Sequence, residues 1–139
     1  MPTKKASAQW NGDLKSGNGT MELESGSYKG NYSFATRFED KEGSNPEELI
    51  GAAHAGCYSM ALSNELAQAG HNPQSVKTEA EVTLDGNKVE ISGIKLIAEA
   101  DVPDLDEDTF QEIAEGAKEA CPVSKALAGV NITLEATLK

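Results

Sequence analysis

The sequence predicts an α+β fold, a single domain over residues 1–139 with mostly antiparallel sheets and one long central helix. Three observations predict it. Short strand-and-turn segments fill the first third of the chain, a strongly signalled helix follows, and period-two runs then flank a second, amphipathic helix. No β-α-β unit repeats, which argues against a doubly wound parallel sheet. The length suits one domain with a real core and is short for two independently folding units.

In the first third, Gly, Ser and Asn punctuate the segments at 20–25 and 32–38, which read as strands and turns. In an extended 32–38 segment, Tyr32, Phe34 and Phe38 share one face and Arg37 points away from it. The helix start is written at Ser44, Asn45, Pro46, Glu47 and Glu48: a cap residue, proline in the first turn, and carboxylates at the positive end of the helix dipole. Glu48 is placed to close a capping box with Asn45. The run that follows is apolar and small on most sides and predicts a buried central helix, stopping at Gly70 before Pro73. Gly51 with Ala55, and Ala52 with Gly56, form two small-residue stripes that admit another backbone.

After Pro73 the pattern alternates. Val76, Thr78, Ala80, Val82 and Leu84 face one way and Lys77, Glu79 and Glu81 the other, which predicts a half-buried strand. Asp85-Gly86 signals a hairpin turn. The returning strand changes parity between Ile91 and Ile94, so a bulge is expected at Ser92-Gly93. From Asp106 to Ala120, Phe110, Ile113, Ala114 and Ala117 recur at helical spacing. Cys121-Pro122 breaks that helix, and Pro122 opens a short one ending at Gly129. Val130, Ile132, Leu134, Ala136 and Leu138 close the chain as an alternating strand.

Acidic residues outnumber basic ones 23 to 12, a formal net charge of -11. That balance disfavours nucleic acid and anionic membrane surfaces as partners. The N-terminus has two lysines but no apolar run behind them, and no stretch approaches the roughly 18 apolar residues of a spanning helix. A cytoplasmic protein is the expectation. In a reducing cytosol paired cysteines are more often catalytic or metal-binding than structural, so Cys57 and Cys121 both require an explanation.

Cys57, deep in the central helix, has an inert, core-filling reading as its default. A reactive thiol there lies too far from the helix start to use the dipole and needs a cation from another element. Cys121 precedes a helix-starting proline, where free backbone N–H groups support a thiolate; a buried junction residue is the alternative. Their spacing gives neither a contact nor a zinc or redox motif, and the two histidines add no metal-ligand spacing. His54, three residues before Cys57, invites a Cys-His nucleophile reading. His71 reads as a surface or capping residue. Glu47 and Arg37 default to a helix-dipole residue and a solvated strand residue.

The run from Asn45 to Leu62, NPEELIGAAHAGCYSMAL, resembles the signature of the osmotically inducible protein C and organic hydroperoxide reductase family. Cys121-Pro122-Val123-Ser124 resembles that family's second-cysteine motif, and Thr36-Arg37-Phe38-Glu39 its arginine segment, placed as in the osmotically inducible protein C branch. The resemblance implies a cytoplasmic, intertwined homodimer whose sheets enclose the central helices. It implies a thiol-dependent peroxidase that reduces a small organic hydroperoxide, draws on an external thiol reductant and needs no cofactor or metal. By the same resemblance Cys57 is the peroxidatic thiol, Cys121 the resolving thiol, and Arg37 with Glu47 the activating pair. A straight helix separates Glu47 from Cys57 by about 15 Å. Either the first turns are not continuous helix, or one subunit's Arg37 and Glu47 serve its partner's Cys57. A thiol-based redox sensor and a non-enzymatic small-molecule binding protein are the alternatives.

Overall fold

The computed structural model describes residues 1–139, and the chain divides into two compact units, Met1–Leu49 and Ile50–Lys139. The N-terminal unit holds strands β1 (Ala6–Asn11), β2 (Asn18–Leu23) and β3 (Lys29–Tyr32), joined as an antiparallel sheet in the order β1-β2-β3. Gly19 of β2 lies between Trp10 and Tyr32, whose ring centroids are 5.3 Å apart. A Cβ there would come within 2.7 Å of both rings, so only glycine fits.

The first correction to the sequence reading follows β3. Residues Phe34–Phe38 form a short helix, α1, and not a strand. Ser33 and Thr36 close a reciprocal capping box: Ser33 Oγ accepts from the Thr36 N–H at 3.3 Å, and Thr36 Oγ1 accepts from the Ser33 N–H at 2.8 Å. Helical winding, not strand alternation, therefore sets the faces. Phe34 and Phe38 stack one turn apart at 4.8 Å, and the Arg37 guanidinium lies 5.4 Å from the Phe38 ring centre.

Helix α2 (Pro46–Gln68) is continuous, which removes the alternative of broken first turns. Asn45 Oδ1 accepts the Glu48 N–H at 2.8 Å as expected, while the Glu48 carboxylate takes the Asn45 side-chain amide at 2.8 Å. At the far end Gly70 has φ +89, the His71 N–H reaches Leu66 O at 2.9 Å and the Gly70 N–H reaches Ala67 O at 3.0 Å. This is a Schellman stop, enforced by the left-handed glycine.

The C-terminal unit carries a second sheet, in the order β4-β5-β6: β4 (Ser75–Asp85), β5 (Glu90–Asp101) and β6 (Asn131–Leu138). β4 alternates as predicted, and β4 and β5 pair antiparallel. Opposite Thr83 and Leu84 lie Gly93 and Ile91, so Ser92 is the extra residue of the expected bulge. β6 pairs with β5 in parallel, so only three of the four strand pairings are antiparallel. A parallel pair needs a long crossover, supplied here by α3 (Glu107–Ala120) and α4 (Pro122–Ala126). Asp106 caps α3 by accepting the Thr109 N–H at 3.0 Å.

The core of this unit joins three elements. Tyr58, Leu62 and Leu66 of α2, Ile94, Leu96, Ala98 and Ala100 of β5, and Phe110, Ala114 and Ala117 of α3 are all buried. Tyr58 donates its hydroxyl to Ala114 O at 2.9 Å, so even the core's phenol is satisfied. Gly51 faces Val82 and Ala80 of β4. The expectation of a helix buried on most sides is corrected for the single chain: Ala52, Ala53, Gly56, Asn64 and Ala67 are exposed, and Met60 is 77% exposed. No helix is long and apolar enough to cross a membrane.

Candidate active site

The thiols meet in the C-terminal unit. Cys57 faces inward from the fourth turn of α2, and Cys121 is the residue at which α3 ends and α4 begins. Proline at the first position of α4 imposes the break, because it has no N–H to continue α3. The two sulfurs lie 3.1 Å apart, with Cys121 wholly buried, Cys57 half-buried and both thiols free. Sequence spacing could not bring them together; the crossover between β5 and β6 does.

The environment treats the two sulfurs differently. Burial opposes ionisation at Cys121, but the Ser124 N–H, the hydrogen bond with Cys57, the Ser124 hydroxyl and the Val123 N–H together hold its thiol below the usual cysteine range. At Cys57 burial prevails over one Val123 N–H, and hydrogen bonding and charge repulsion from Cys121 add to it, so its thiol is pushed up. The two titrate as a pair in which one negative charge is shared. The start of α4 thus supports a thiolate at Cys121, as the helix-start reading expected. No cation is among the groups that act on Cys57 within the chain.

His54 is fully buried, and its Nε2 lies 2.7 Å from Ser124 Oγ, while Nδ1 has no hydrogen-bond partner. The direct Cys-His pair is therefore not formed; the imidazole bonds to Ser124 instead. Burial lowers the His54 pKa and keeps the ring neutral. Sequence reasoning missed Ser124 as the partner of His54, although a hydroxyl in the first turn after a cap-position cysteine was its available signal. His71 contributes its backbone N–H to the stop of α2.

In the N-terminal unit Arg37 and Glu47 come together. Arg37 Nε donates to Glu47 Oε1 at 2.9 Å and Nη2 to Oε2 at 3.0 Å. Asn45 ties the two helix ends by donating its side-chain amide to Thr36 O at 3.2 Å. Glu47 is buried and Arg37 half-exposed, so this is a fixed, charge-assisted fork and not a loose surface pair. Trp10, Leu14, Tyr32, Phe34 and Phe38 line a cavity of about 220 Å³ beside the guanidinium. No group of three or more His, Cys, Asp or Glu side chains gathers where a metal ion could be held.

Residues 39–135 match the family described as OsmC-like protein. Peroxiredoxin OsmC of Escherichia coli K12 is 50% identical over 141 residues, covering 98% of this chain and 96% of that protein. The organic hydroperoxide resistance protein OhrB of Bacillus subtilis 168 is 34% identical over 104 residues, covering 70% and 72%. The crystal structure of an OsmC-like protein from Mycoplasma pneumoniae aligns with a TM-score of 0.74 over 99% of this chain and 97% of that one, at 18% identity, a likeness of fold.

Proposed function

Because the chain belongs to the OsmC-like protein family, we propose that it is a thiol-dependent peroxidase that reduces organic hydroperoxides to alcohols. The observation that carries the reading is the 3.1 Å approach of the two free thiols. We assign Cys57 as the peroxidatic thiol, Cys121 as the resolving thiol, and Arg37 with Glu47 as the activating pair. The Cys57 thiolate attacks one peroxide oxygen, the O–O bond breaks, and the alkoxide leaves as the alcohol with a proton. Cys57 becomes a sulfenic acid, Cys121 displaces its hydroxyl as water, and the resulting disulfide is reduced by an external thiol or dithiol. No resident cofactor enters this cycle.

The activating pair answers the need at Cys57. A thiol that burial holds protonated requires a cation, and the Arg37 fork is already oriented by Glu47. The aromatic cavity beside Arg37 suits the alkyl part of an organic peroxide better than hydrogen peroxide. We further assign a cytoplasmic homodimer, in which the pair from one subunit serves the thiols of the other. The exposed small residues of α2 support it, since they admit a second helix closely. Nucleic acid and membranes are not partners in this reading.

The test is dithiol-dependent consumption of a bulky alkyl hydroperoxide, compared with hydrogen peroxide. Faster turnover of the alkyl substrate, lost in Cys57→Ser, supports the assignment; undiminished turnover in that variant would overturn it.

A further inference from the structure

We infer that two buried hydrogen bonds, Tyr58 to Ala114 and His54 to Ser124, form a bracket that holds Cys121 at attacking distance from Cys57, so that Tyr58 and His54 are positioning residues for disulfide formation. The bracket serves the resolving step of the peroxidase reading, and its kinetic consequence rests on that reading.

Cys121 lies at a joint that does not hold its own shape. Pro122 has no N–H to continue α3, the cap of α4 carries no side-chain hydrogen bond, and α4 is only five residues long. A helix that short has no stability of its own, so its place is set by what it touches. The apolar core presses α3 against α2, but apolar attraction has no preferred direction. Direction comes from the two hydrogen bonds, one to each of the helices that meet at Cys121. Tyr58 donates its hydroxyl to Ala114 O of α3 at 2.9 Å. Ala114 stands about two turns before Cys121, on the same face of α3. His54 Nε2 lies 2.7 Å from Ser124 Oγ of α4.

Both tethers leave α2 beside Cys57, His54 one turn before it and Tyr58 directly after it. The step from Cys121 forward to Ser124 matches the step from Cys57 back to His54. Cys57 therefore meets Cys121, and His54 meets Ser124, as two rungs of one ladder between α2 and α4. His54, Tyr58, Cys121 and Ser124 are all buried, so water does not compete for either bond. The bracket is thus closed on both sides of the chain break at Pro122.

In resolution the Cys121 thiolate attacks the sulfenic sulfur of Cys57. The S–S bond forms, the S–O bond breaks, and the departing hydroxide takes up one proton as water. The sulfurs stand at 3.1 Å, within the range of about 3–3.5 Å from which reacting atoms go forward without a search. Loss of one buried neutral hydrogen bond shifts the equilibrium it holds by about fivefold. Without either tether the joint can turn, and the share of chains with the sulfurs in reach falls by that factor.

The test measures the reduction potential of the Cys57–Cys121 disulfide in the full chain, equilibrated with a glutathione redox buffer and without peroxide. Oxidised glutathione takes up both thiol hydrogens as the disulfide closes, so the balance needs no other oxidant. Tyr58→Phe and Ser124→Ala are each expected to make the disulfide about fivefold easier to reduce, which is about 20 mV for a two-electron couple. Ser124→Thr, which keeps the hydroxyl, is expected to hold the native potential. A merely structural role would lower the urea midpoint and leave the potential of the folded chain where it is. A potential unmoved in Tyr58→Phe or in Ser124→Ala, or moved as far in Ser124→Thr as in Ser124→Ala, overturns the inference. With an alkyl hydroperoxide as oxidant, Tyr58→Phe and Ser124→Ala are each expected to form disulfide about fivefold more slowly and to accumulate more Cys57 sulfinic acid. An unchanged disulfide rate overturns it too. A chain that consumes no hydroperoxide overturns the peroxidase reading and leaves the potential to decide the bracket.

Discussion

Arg37 and Glu47 face each other edge to edge, the guanidinium Nε and Nη2 each matched to one carboxylate oxygen at 2.9 and 3.0 Å. The match fixes a plane as well as a charge, which an ammonium cannot do. Arg37→Lys is therefore expected to lower kcat/KM for an alkyl hydroperoxide by about a hundredfold, the scale of losing an aimed electrostatic donor. Glu47→Gln, which leaves the cation but loosens it, should cost about tenfold. Steady-state turnover with a saturating dithiol checks both, and native turnover in Arg37→Lys would show that the fork has no part in the chemistry.

Cys121→Ser should preserve the first encounter with peroxide and lose the second. One equivalent of hydroperoxide is consumed, no intramolecular disulfide forms, and Cys57 proceeds to sulfinic acid as peroxide is added. Intact-mass analysis reads the oxygen additions directly. A variant that cycles at full rate would deny Cys121 its resolving role.

The turn that presents Arg37 depends on two hydroxyls. Thr36→Val removes the oxygen that accepts the Ser33 N–H and donates to Ser33 O, and Thr36 is buried. The loss should cost about 1 kcal/mol in urea unfolding, typical of a helix cap. Peroxidase activity should fall more than that small destabilisation explains, whereas Thr36→Ser should behave as native.

Stability should also depend on pH through His54. Burial holds the folded pKa below the ordinary histidine value of about 6.5, so in acid the unfolded chain binds a proton that the folded chain refuses. The His54 contribution is complete above about pH 6.5 and is lost as pH falls from there toward the lowered folded value. Urea midpoints across this interval should fall less steeply in His54→Gln than in the native chain; identical slopes would refute the assignment.

Phe110 is wholly buried in the C-terminal core. Phe110→Ala should destabilise by about 3–5 kcal/mol, the scale of an aromatic cavity. Phe110→Leu should recover most of that loss, which denaturation at fixed protein concentration will show.

The elements built from local signals were legible in the chain. Asn45 and Pro46 start α2, Gly70 stops it, β4 alternates, and the parity change in β5 marks the bulge at Ser92. Misreading began where two local codes competed. Tyr32, Phe34 and Phe38 keep strand parity, yet the Ser33–Thr36 box winds the segment into α1 because it satisfies N–H groups at both ends of the turn. The strand character of β6 was plain, but its parallel pairing was not, since alternation records which face is buried and not which way a neighbour runs. Of the site, the cap-like support of Cys121 could be read locally. The contact of Cys121 with Cys57 and the bond from His54 to Ser124 are products of tertiary packing, for which no spacing rule exists.

Cys121 stands in the crossover that lets β6 lie parallel to β5, and this ties its chemistry to the assembly of the second sheet. A crossover docks only when the strand beyond it has found its place, and here that strand is β6. A chain whose β6 is still unpaired has two distant, ordinary thiols. The facile disulfide is thus a property of the finished protein, and rapid coupling of the two cysteines under mild oxidation doubles as a reporter that β6 has docked.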